Sequence, residues 1–415
     1  MSEAATSPAQ LQPLRGWSWF VSGLGMGQIC SWGALYYSFP LIAEAMGRDL
    51  RWSKTELYGA ATFGLLLAAA AAYPIGKVID RGHGRAIMSV GSLGAGLLFL
   101  AWSDVHTLGP FLLIAAGLGA LQAAVLYEPA FAVIARRSNG DARRAITGLT
   151  LWGGFASTVF IPLVQILLDG FGWRGALVGL GAINLGCASL YWLTIGPSPT
   201  HAAEIGASVP RDRAPLENAL RSPVFWALAL AFTAHAGAFT AFTFHLYALL
   251  LERGFSTHDI VIAMAVIGPA QVAGRVAMSL FARGASIRRI GSVVVLGFPV
   301  AFAIFAATPP SLGVVMFVGA LYGASNGVLT IVRGLAVPDM LTTQNYGAIN
   351  GAMNTPATIA KAAAPLGAAM LWSLTQSYAI VLIAIIAGSL VLTFGFWFAA
   401  WLSQSRPREA LHADL

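Results

Sequence analysis

Three charged residues lie inside long apolar runs of the sequence: Arg275, Lys361 and Glu128. A charge within hydrocarbon costs at least ~2.5–3.5 kcal/mol, so it needs a partner, a water-filled cavity or a function. The guanidinium of Arg275 is a planar fork that matches a carboxylate, and Gln271 lies one helical turn before it on the same face. This chemistry allows Arg275 to contact an anion. The alternative is an Arg275 that pairs with an acidic residue between helices.

Lys361 lies between Pro356 and Pro365, and two prolines can loosen the helix that carries it. Away from the ends of its apolar runs, the C-terminal half contains two cations and no carboxylate, which favours an anionic small-molecule substrate held by Arg275 and Lys361. In the other interpretation, Lys361 neutralises Glu128 across the interface between the two halves of the chain.

Glu128 lies near one end of its apolar run, where its carboxyl group can either carry a proton or form an ion pair. Arg333 occupies nearly the matching place in a later run, so we expect a Glu128–Arg333 gate. His235 and His245 share one run and are further candidates for proton coupling, although a lone buried histidine is more often a packing residue. Among the aromatic residues, Tyr36 and Tyr127 are candidates to line the substrate site.

The elements that carry these residues are predicted to be transmembrane helices. The 415 residues are 57% hydrophobic and 10% charged, whereas soluble proteins carry roughly a quarter of their residues as charges. A span needs about 20 mostly apolar residues. Twelve runs meet this requirement, at 17–43, 55–78, 86–103, 107–135, 144–168, 174–195, 222–251, 257–281, 289–307, 311–336, 345–373 and 378–402. We therefore predict an all-α membrane protein of twelve transmembrane helices.

The chain divides into two related halves. Residues 197–221 are rich in proline and arginine and form a predicted cytoplasmic linker between six-helix bundles at 1–196 and 222–415. A constant offset of 203 residues places Trp52-Ser53 on Phe255-Ser256 and Pro162 on Pro365. Parallel six-helix repeats with a site between them are a transporter architecture. The sequence thus predicts two bundles related by a pseudo-twofold axis.

The basic residues decide the orientation. Seventeen lysines and arginines fall in the termini and even-numbered loops, against five in the odd-numbered loops. By the positive-inside rule, both termini lie in the cytoplasm. The same asymmetry explains the net charge of +7 by proximity to the lipid bilayer, so nucleic acid is not an expected partner.

The stretch from Gly76 to Met88 resembles the cytoplasmic signature of the major facilitator superfamily, in which a glycine is followed by Asp-Arg, a further glycine and another basic residue. Gly76, Asp80, Arg81 and Arg85 carry the resemblance, although the glycines stand at 82 and 84 around His83. The resemblance implies a role for these four residues in closing the cytoplasmic side. Gly76 is expected to allow a close approach of helices.

Within that superfamily, the chain resembles the monocarboxylate and oxalate–formate branch. The segments that carry this narrower resemblance are Tyr37-Ser-Phe-Pro40, Arg221-Ser-Pro-Val-Phe-Trp226 and Gln271-Val-Ala-Gly-Arg275. It implies that Arg275 pairs with a substrate carboxylate. Two positions depart from the family. Leu41 replaces a lysine and Gln271 an aspartate, both tied to proton coupling, so lactate-type proton symport is not implied.

Taken together, the residues and the resemblance predict a secondary active transporter of a small organic anion, in a bacterial inner membrane. A coupling proton or counter-anion and a monomeric state are expected. The sequence contains no nucleotide-binding motif, metal-ligand cluster or catalytic triad, so neither an enzyme nor a cofactor is expected. The alternatives are efflux of a neutral or cationic toxicant, and a membrane sensor built on the same fold.

Overall fold

The computed structural model describes residues 14–137, 142–196, 214–282, 284–342 and 346–404. These residues form seventeen α-helices: α1 (Leu14–Trp32), α2 (Phe39–Leu50), α3 (Lys54–Val78), α4 (Gly84–Ser103), α5 (Leu108–Val125), α6 (Tyr127–Arg137), α7 (Ala142–Gly153), α8 (Ala156–Thr194), α9 (Ala214–Arg221), α10 (Pro223–Glu252), α11 (Thr257–Ala265), α12 (Ile267–Phe281), α13 (Ile287–Val294), α14 (Gly297–Ala307), α15 (Leu312–Met340), α16 (Tyr346–Thr375) and α17 (Tyr378–Gln404). Two π-helical turns, Gly33–Tyr37 and Ile79–His83, join α1 to α2 and α3 to α4.

Ten helical segments of the described chain are long and apolar enough to cross a membrane. One of them, Ala145–Thr194, has 50 residues and contains Gly172 in a non-helical conformation, with φ at +66°. A continuous helix of that length would rise about 75 Å, more than twice the ~30 Å hydrocarbon core, so this segment is long enough for two crossings. The prediction of an all-helical membrane protein is confirmed. The count of twelve and the cytoplasmic termini stay predictions.

The outer surface is as apolar as a lipid-facing surface must be. Phe281, Leu374 and Leu193 expose 87%, 80% and 74% of their surface, respectively. In water, so many exposed large side chains would drive association, whereas lipid tails solvate them. The membrane therefore acts as the solvent for this face of the bundle.

Helix caps account for part of the repeat in the sequence. Ser53 begins α3, where its Oγ accepts a hydrogen bond from the Glu56 N–H at 3.2 Å. Ser256, 203 positions later, begins α11 in the same way and accepts from the Asp259 N–H at 3.2 Å. Both serines satisfy backbone donors that a helix start leaves without partners. The repeated serine therefore marks the same helix start in each half.

Two seams join the halves. Along α3 and α16, the Leu366 N–H donates to Thr62 Oγ1 at 3.2 Å. Along α8 and α11, Thr158 Oγ1 donates to the Ala265 carbonyl at 3.0 Å, and Ala265 is the residue 203 positions after Thr62. A Cβ on Gly268 would lie 2.6 Å from the Gly154 carbonyl oxygen, so only glycine permits this approach. The site described next lies between these seams.

Candidate functional site

Lys361 approaches an aromatic cluster contributed by the other half of the chain. Its Nζ lies 5.8 Å from the ring centroid of Trp32 and 5.4 Å from that of Tyr36. Tyr127 packs on Trp32 at 5.0 Å between ring centroids, and Tyr37 packs on Tyr36 at 5.5 Å. Cation–π contacts are the interactions that the structure shows for this ammonium group. Two predicted site tyrosines and the predicted lysine are thus brought together.

The local backbone places these rings. The π-helical turn Gly33–Tyr37 interrupts the first helix just before Pro40, whose ring has no N–H to continue the preceding hydrogen-bond ladder. Single π turns inside helices are frequent at functional sites. This turn buries Tyr36 and leaves Tyr37 half-buried, so that the two rings lie on different sides of the cluster.

The alternative partner of Lys361 is not in contact with it. Glu128 is exposed and forms no ion pair within 4.0 Å with any residue that the structure describes. Lys361 is half-buried and likewise has no hydrogen bond or ion pair among those residues. A half-buried ammonium beside aromatic faces, with no countercharge in contact, is suited to receive an anion.

Arg275 is bound to main-chain carbonyls in this conformation. Its Nη1 donates to the Thr150 carbonyl of the other half at 2.7 Å, and its Nε donates to the Gly327 carbonyl at 3.2 Å. These bonds use two of the five guanidinium N–H donors, which leaves donors for a ligand. Arg275 therefore bridges the halves as well as contributing positive charge near the aromatic cluster.

Gln271 is buried one turn before Arg275 and belongs to a polar contact within the C-terminal half. Its Oε1 accepts a hydrogen bond from Asn326 Nδ2 at 3.4 Å. His235, on the neighbouring α10, packs against the rings of Phe298 at 4.9 Å and Phe239 at 5.9 Å. The structure thus places His235 among apolar rings of the C-terminal half.

His245 lies elsewhere, close to the far end of α10, and joins the halves. Its ring stacks on Tyr58 of the other half at 4.0 Å between centroids. Nε2 lies 2.9 Å from the Pro365 carbonyl and Nδ1 lies 3.0 Å from the Tyr378 hydroxyl. Since a carbonyl can only accept, we assign the hydrogen to Nε2, and Nδ1 then accepts from Tyr378. Both ring nitrogens are engaged.

A cluster around His245 closes this end of the bundle, and the sequence had not pointed to it. Tyr58 donates to the Phe244 carbonyl at 3.0 Å. Lys54 pairs with Glu44 at 3.1 Å and lies 5.0 Å from the ring of Trp372. We call Lys54, Tyr58, His245, Trp372 and Tyr378 the latch. In the sequence, the signal at this position was the capping residue Ser53 beside Lys54. A capping serine indicates where a helix begins and does not indicate a contact between the halves.

The signature segment lies at the opposite end. Gly82 has a φ of +96° and turns the chain between α3 and α4, a conformation that glycine adopts without strain. Arg81 is exposed, whereas Arg85 stacks on Trp192 at 3.8 Å and donates to the Trp192 carbonyl at 2.8 Å. The side chain of Asp80 lies outside the described residues.

Two expectations for this end do not describe the present conformation. A Cβ on Gly76 would meet nothing within 4 Å, so the close approach of helices expected there is absent, because no neighbour faces this glycine. Arg333 donates to Asn354 of its own half, and no ion pair joins it to Glu128 among the described residues. The Glu128–Arg333 gate stays a prediction.

The arrangement is therefore a site between two halves. Cationic groups from α12 and α16 lie beside an aromatic cluster from α1 and α6. Such a site has the charge and the aromatic faces to bind an acceptor-rich anion.

The sequence pattern that defines the Major Facilitator Superfamily matches residues 24–365. The chain belongs to the major facilitator superfamily. This confirms the family inferred from the Gly76–Met88 segment, and it places the chain among transporters and not enzymes.

The sequence relatives confirm the narrower resemblance of this superfamily member to monocarboxylate transporters. Monocarboxylate transporter 13 of Rattus norvegicus is 26% identical over 96% of this chain and 94% of its own length. Monocarboxylate transporter 11 of Homo sapiens is 31% identical over 62% of this chain, and that match spans 55% of the human protein. These relatives are mammalian, so the bacterial inner membrane stays a prediction.

Solved structures of superfamily members share the fold. A bacterial homologue of the human lysosomal transporter Spinster, in an inward-facing and occupied conformation, has a TM-score of 0.71 and 16% identity, over 96% of this chain and 98% of that one. The nucleoside transporter NupG also gives a TM-score of 0.71 and 16% identity, over 92% and 98% of the two chains. At this identity, the likeness concerns the fold.

Proposed function

We propose that this protein is a secondary active transporter of a small organic anion, a carboxylate, that works by alternating access. The halves of the chain would rock about the site between them and expose it to one side of the membrane at a time. The sequence relatives support a carboxylate, since each is named as a monocarboxylate transporter.

The observation that carries the proposal is the setting of Lys361. Its ammonium group is half-buried at the interface of the halves, faces Trp32 and Tyr36, and has no contacting carboxylate among the described residues. A carboxylate between Lys361 and the free donors of Arg275 would supply the missing countercharge. The buried indole Nε1 of Trp32, which has no hydrogen-bond partner in the structure, is a further donor for such a ligand.

Twelve crossings with cytoplasmic termini complete the proposal. The positive-inside count supports a cytoplasmic signature end. The latch would then face the outside, and this conformation would be the one closed on that side. The opposite state would open the latch and close Glu128 on Arg333. Because both nitrogens of His245 are engaged in the latch, Glu128 and His235 are the better candidates for proton coupling, with exchange against a counter-anion as the other form of coupling.

A thermal-shift screen of the purified full chain in detergent against small monocarboxylates and dicarboxylates tests the proposal. A specific ligand at 100 times its dissociation constant raises the stability by about 2.7 kcal/mol, which is a measurable rise in melting temperature. We expect Lys361→Gln to weaken binding roughly 10- to 100-fold, since a hydrogen bond to a charged group contributes about 1.5–3 kcal/mol. Arg275→Gln should weaken binding and also loosen the interface.

Lys77→Gln is the matched control, because Lys77 is exposed and stacks on Tyr73 of its own helix. It removes the same charge away from the site and should leave carboxylate binding unchanged. Lys361→Arg, which keeps the charge, should bind better than Lys361→Gln. If carboxylates leave the wild type unaffected while a neutral or cationic compound stabilises every variant alike, the protein is an exporter of such compounds and the proposal is wrong.

A further inference from the structure

A groove runs along the outer surface of the N-terminal half between α4 and α8. It has a volume of about 480 Å³, which is within the range of ligand pockets. Its wall is formed by Ser89, Val90 and Leu93 from α4 and by Ala188, Ser189, Trp192 and Leu193 from α8. The apolar side chains of Val90, Trp192 and Leu193 are exposed. The groove therefore opens towards the lipid and is separate from the site between the halves.

An arginine lies at one end of this groove. The guanidinium of Arg85 stacks on the ring of Trp192, a residue of the wall, at 3.8 Å. Its Nε donates to the Trp192 carbonyl at 2.8 Å, and this bond uses one of its five N–H donors. No ion pair within 4.0 Å joins Arg85 to a residue that the structure describes. A fork of N–H donors fixed in this way is suited to a phosphate group.

Further positive charge lies at the same end of the groove. Residues 76–88 contain three lysines and arginines and one acidic residue. Arg137 donates to the Gly196 carbonyl, just beyond the end of α8, and the charges of Arg137 and Arg85 repel each other. The cationic group of a zwitterionic headgroup would add to this repulsion, whereas a headgroup with a net negative charge relieves it.

A buried hydroxyl in the wall offers a second polar contact. Ser89 is 7% exposed, and its Oγ has no hydrogen-bond partner in the structure. A buried hydroxyl without a partner is unfavourable, so a ligand oxygen that reaches it is stabilised. Ser89 lies one turn after Arg85, about 6 Å further along α4, and the apolar wall continues at Val90 and Leu93. Arginine, hydroxyl and apolar wall follow in the order of the phosphate, ester carbonyls and acyl chains of a phospholipid.

We propose that this groove binds one phospholipid with an anionic headgroup. The lipid phosphate accepts from Arg85, an ester carbonyl accepts from Ser89, and one acyl chain fills the groove between α4 and α8. Lipid that only coats the bundle makes neither polar contact, so the site selects one lipid molecule from the bilayer. This inference does not depend on which substrate the protein transports.

The test is native mass spectrometry of the full chain in detergent, titrated with phosphatidylglycerol or with phosphatidylcholine that has the same acyl chains. We expect one phosphatidylglycerol per chain to bind more tightly than phosphatidylcholine. Arg85→Gln should weaken phosphatidylglycerol binding roughly 10-fold or more, because a hydrogen bond to a charged group is lost, and should remove the preference between the lipids. Ser89→Ala should weaken both lipids alike, by about five-fold, because both carry the ester carbonyl.

Arg253→Gln is the matched control. Arg253 stacks on Phe305 at 4.0 Å and donates to the Phe305 carbonyl at 2.6 Å, so it repeats the contacts of Arg85 in the C-terminal half. Phe305 is buried, whereas Trp192 lies in the open groove, and so the loss of Arg253 should leave lipid binding unchanged. Ala188→Phe places a ring in the groove from α8 and should weaken both lipids.

The outcomes decide the proposal. One tightly bound phosphatidylglycerol that Arg85→Gln and Ala188→Phe weaken and Arg253→Gln does not supports the site. If Ala188→Phe folds poorly, the contrast between Arg85→Gln and Ser89→Ala carries the same test. Equal affinity of the wild type for the two lipids overturns the proposal, as does a preference for phosphatidylglycerol that Arg85→Gln leaves unaltered. An equal loss in Arg253→Gln and Arg85→Gln also overturns it, since attraction by net charge alone would then explain the binding.

Discussion

The two ends of the interface between the halves are built differently. At the latch, a buried histidine has both ring nitrogens bonded and stacks on a tyrosine of the other half. At the signature end, Arg85 is held by Trp192 and Arg333 by Asn354, each within its own half. The latch contacts thus run between the halves, whereas these two arginine contacts do not.

A single conformation shows the contacts of one predicted gate and not those of the other. Residues that close an end are bonded only when that end is closed, so the latch is visible here as contacts. The gate of Glu128 and Arg333 remains a pattern in the sequence. In an alternating-access protein, the two sets of bonds must have similar free energies, because otherwise one state would dominate and turnover would be slow.

The largest predicted effect comes from His245→Ala. It leaves the Tyr378 hydroxyl and the Pro365 carbonyl without partners, and each buried polar group so abandoned costs about 1–3 kcal/mol. We expect faster amide hydrogen exchange over residues 54–62 and 366–378, measured by mass spectrometry, and a lower melting temperature. His235→Ala, ten positions earlier on the same helix, is the control and should leave exchange at the latch unchanged. Equal protection of the latch amides from exchange in both variants would mean that His245 contributes packing and that its hydrogen bonds do not hold the latch together.

A smaller effect is expected for Lys54→Met. The variant loses cation–π contacts with Trp372 and Tyr378 of the other half, each contributing about 0.5–1 kcal/mol at an exposed site, and the ion pair with Glu44. Exchange over residues 366–378 should rise about five-fold or more. Lys77→Met removes a similar contact, with Tyr73 of the same helix, and should not open the latch. A rise in both variants would show a general loss of stability.

The smallest effect on stability is expected at the signature end. Glu128→Gln should change the stability by less than about 0.5 kcal/mol, because Glu128 is exposed and forms no ion pair with a described residue. The transport rate in proteoliposomes should fall all the same, since the opposite state would lose its gate. Exchanging the charges in Glu128→Arg with Arg333→Glu should restore part of the rate. A large loss of stability in Glu128→Gln alone would show that this carboxylate already has a partner here.

Much of the fold could be predicted from the sequence because a membrane span is recognisable from its apolar composition and its length. The apolar runs, the repeat at an offset of 203 and the Gly76–Met88 segment led to a helical membrane protein of the correct superfamily. The structure also brings Lys361, Tyr36 and Tyr127, which were all candidates from the sequence, into one cluster. A charged or polar aromatic residue inside an apolar run raises the free energy of insertion into the membrane. Such a residue therefore stands out in the sequence as a functional candidate.

The partners of these residues could not be predicted in the same way. Helices in lipid are apolar on every face, so periodicity does not reveal which face meets protein. Nothing in the sequence showed that Arg275 donates to Thr150, 125 positions earlier, or that Tyr58 stacks on His245. Main-chain carbonyls leave no residue signature, and a stacking pair depends on the angle at which two helices cross.

The sequence by itself determined the class of molecule: a helical membrane protein of the major facilitator superfamily, with cations and aromatic residues inside its apolar runs. Only the tertiary structure decided which groups those cations touch and which residues join the two halves. The physical reason is that the free energy of burial in lipid depends on each residue type separately. A latch or a cavity depends instead on distances between residues from different helices, which the packing of the two halves sets.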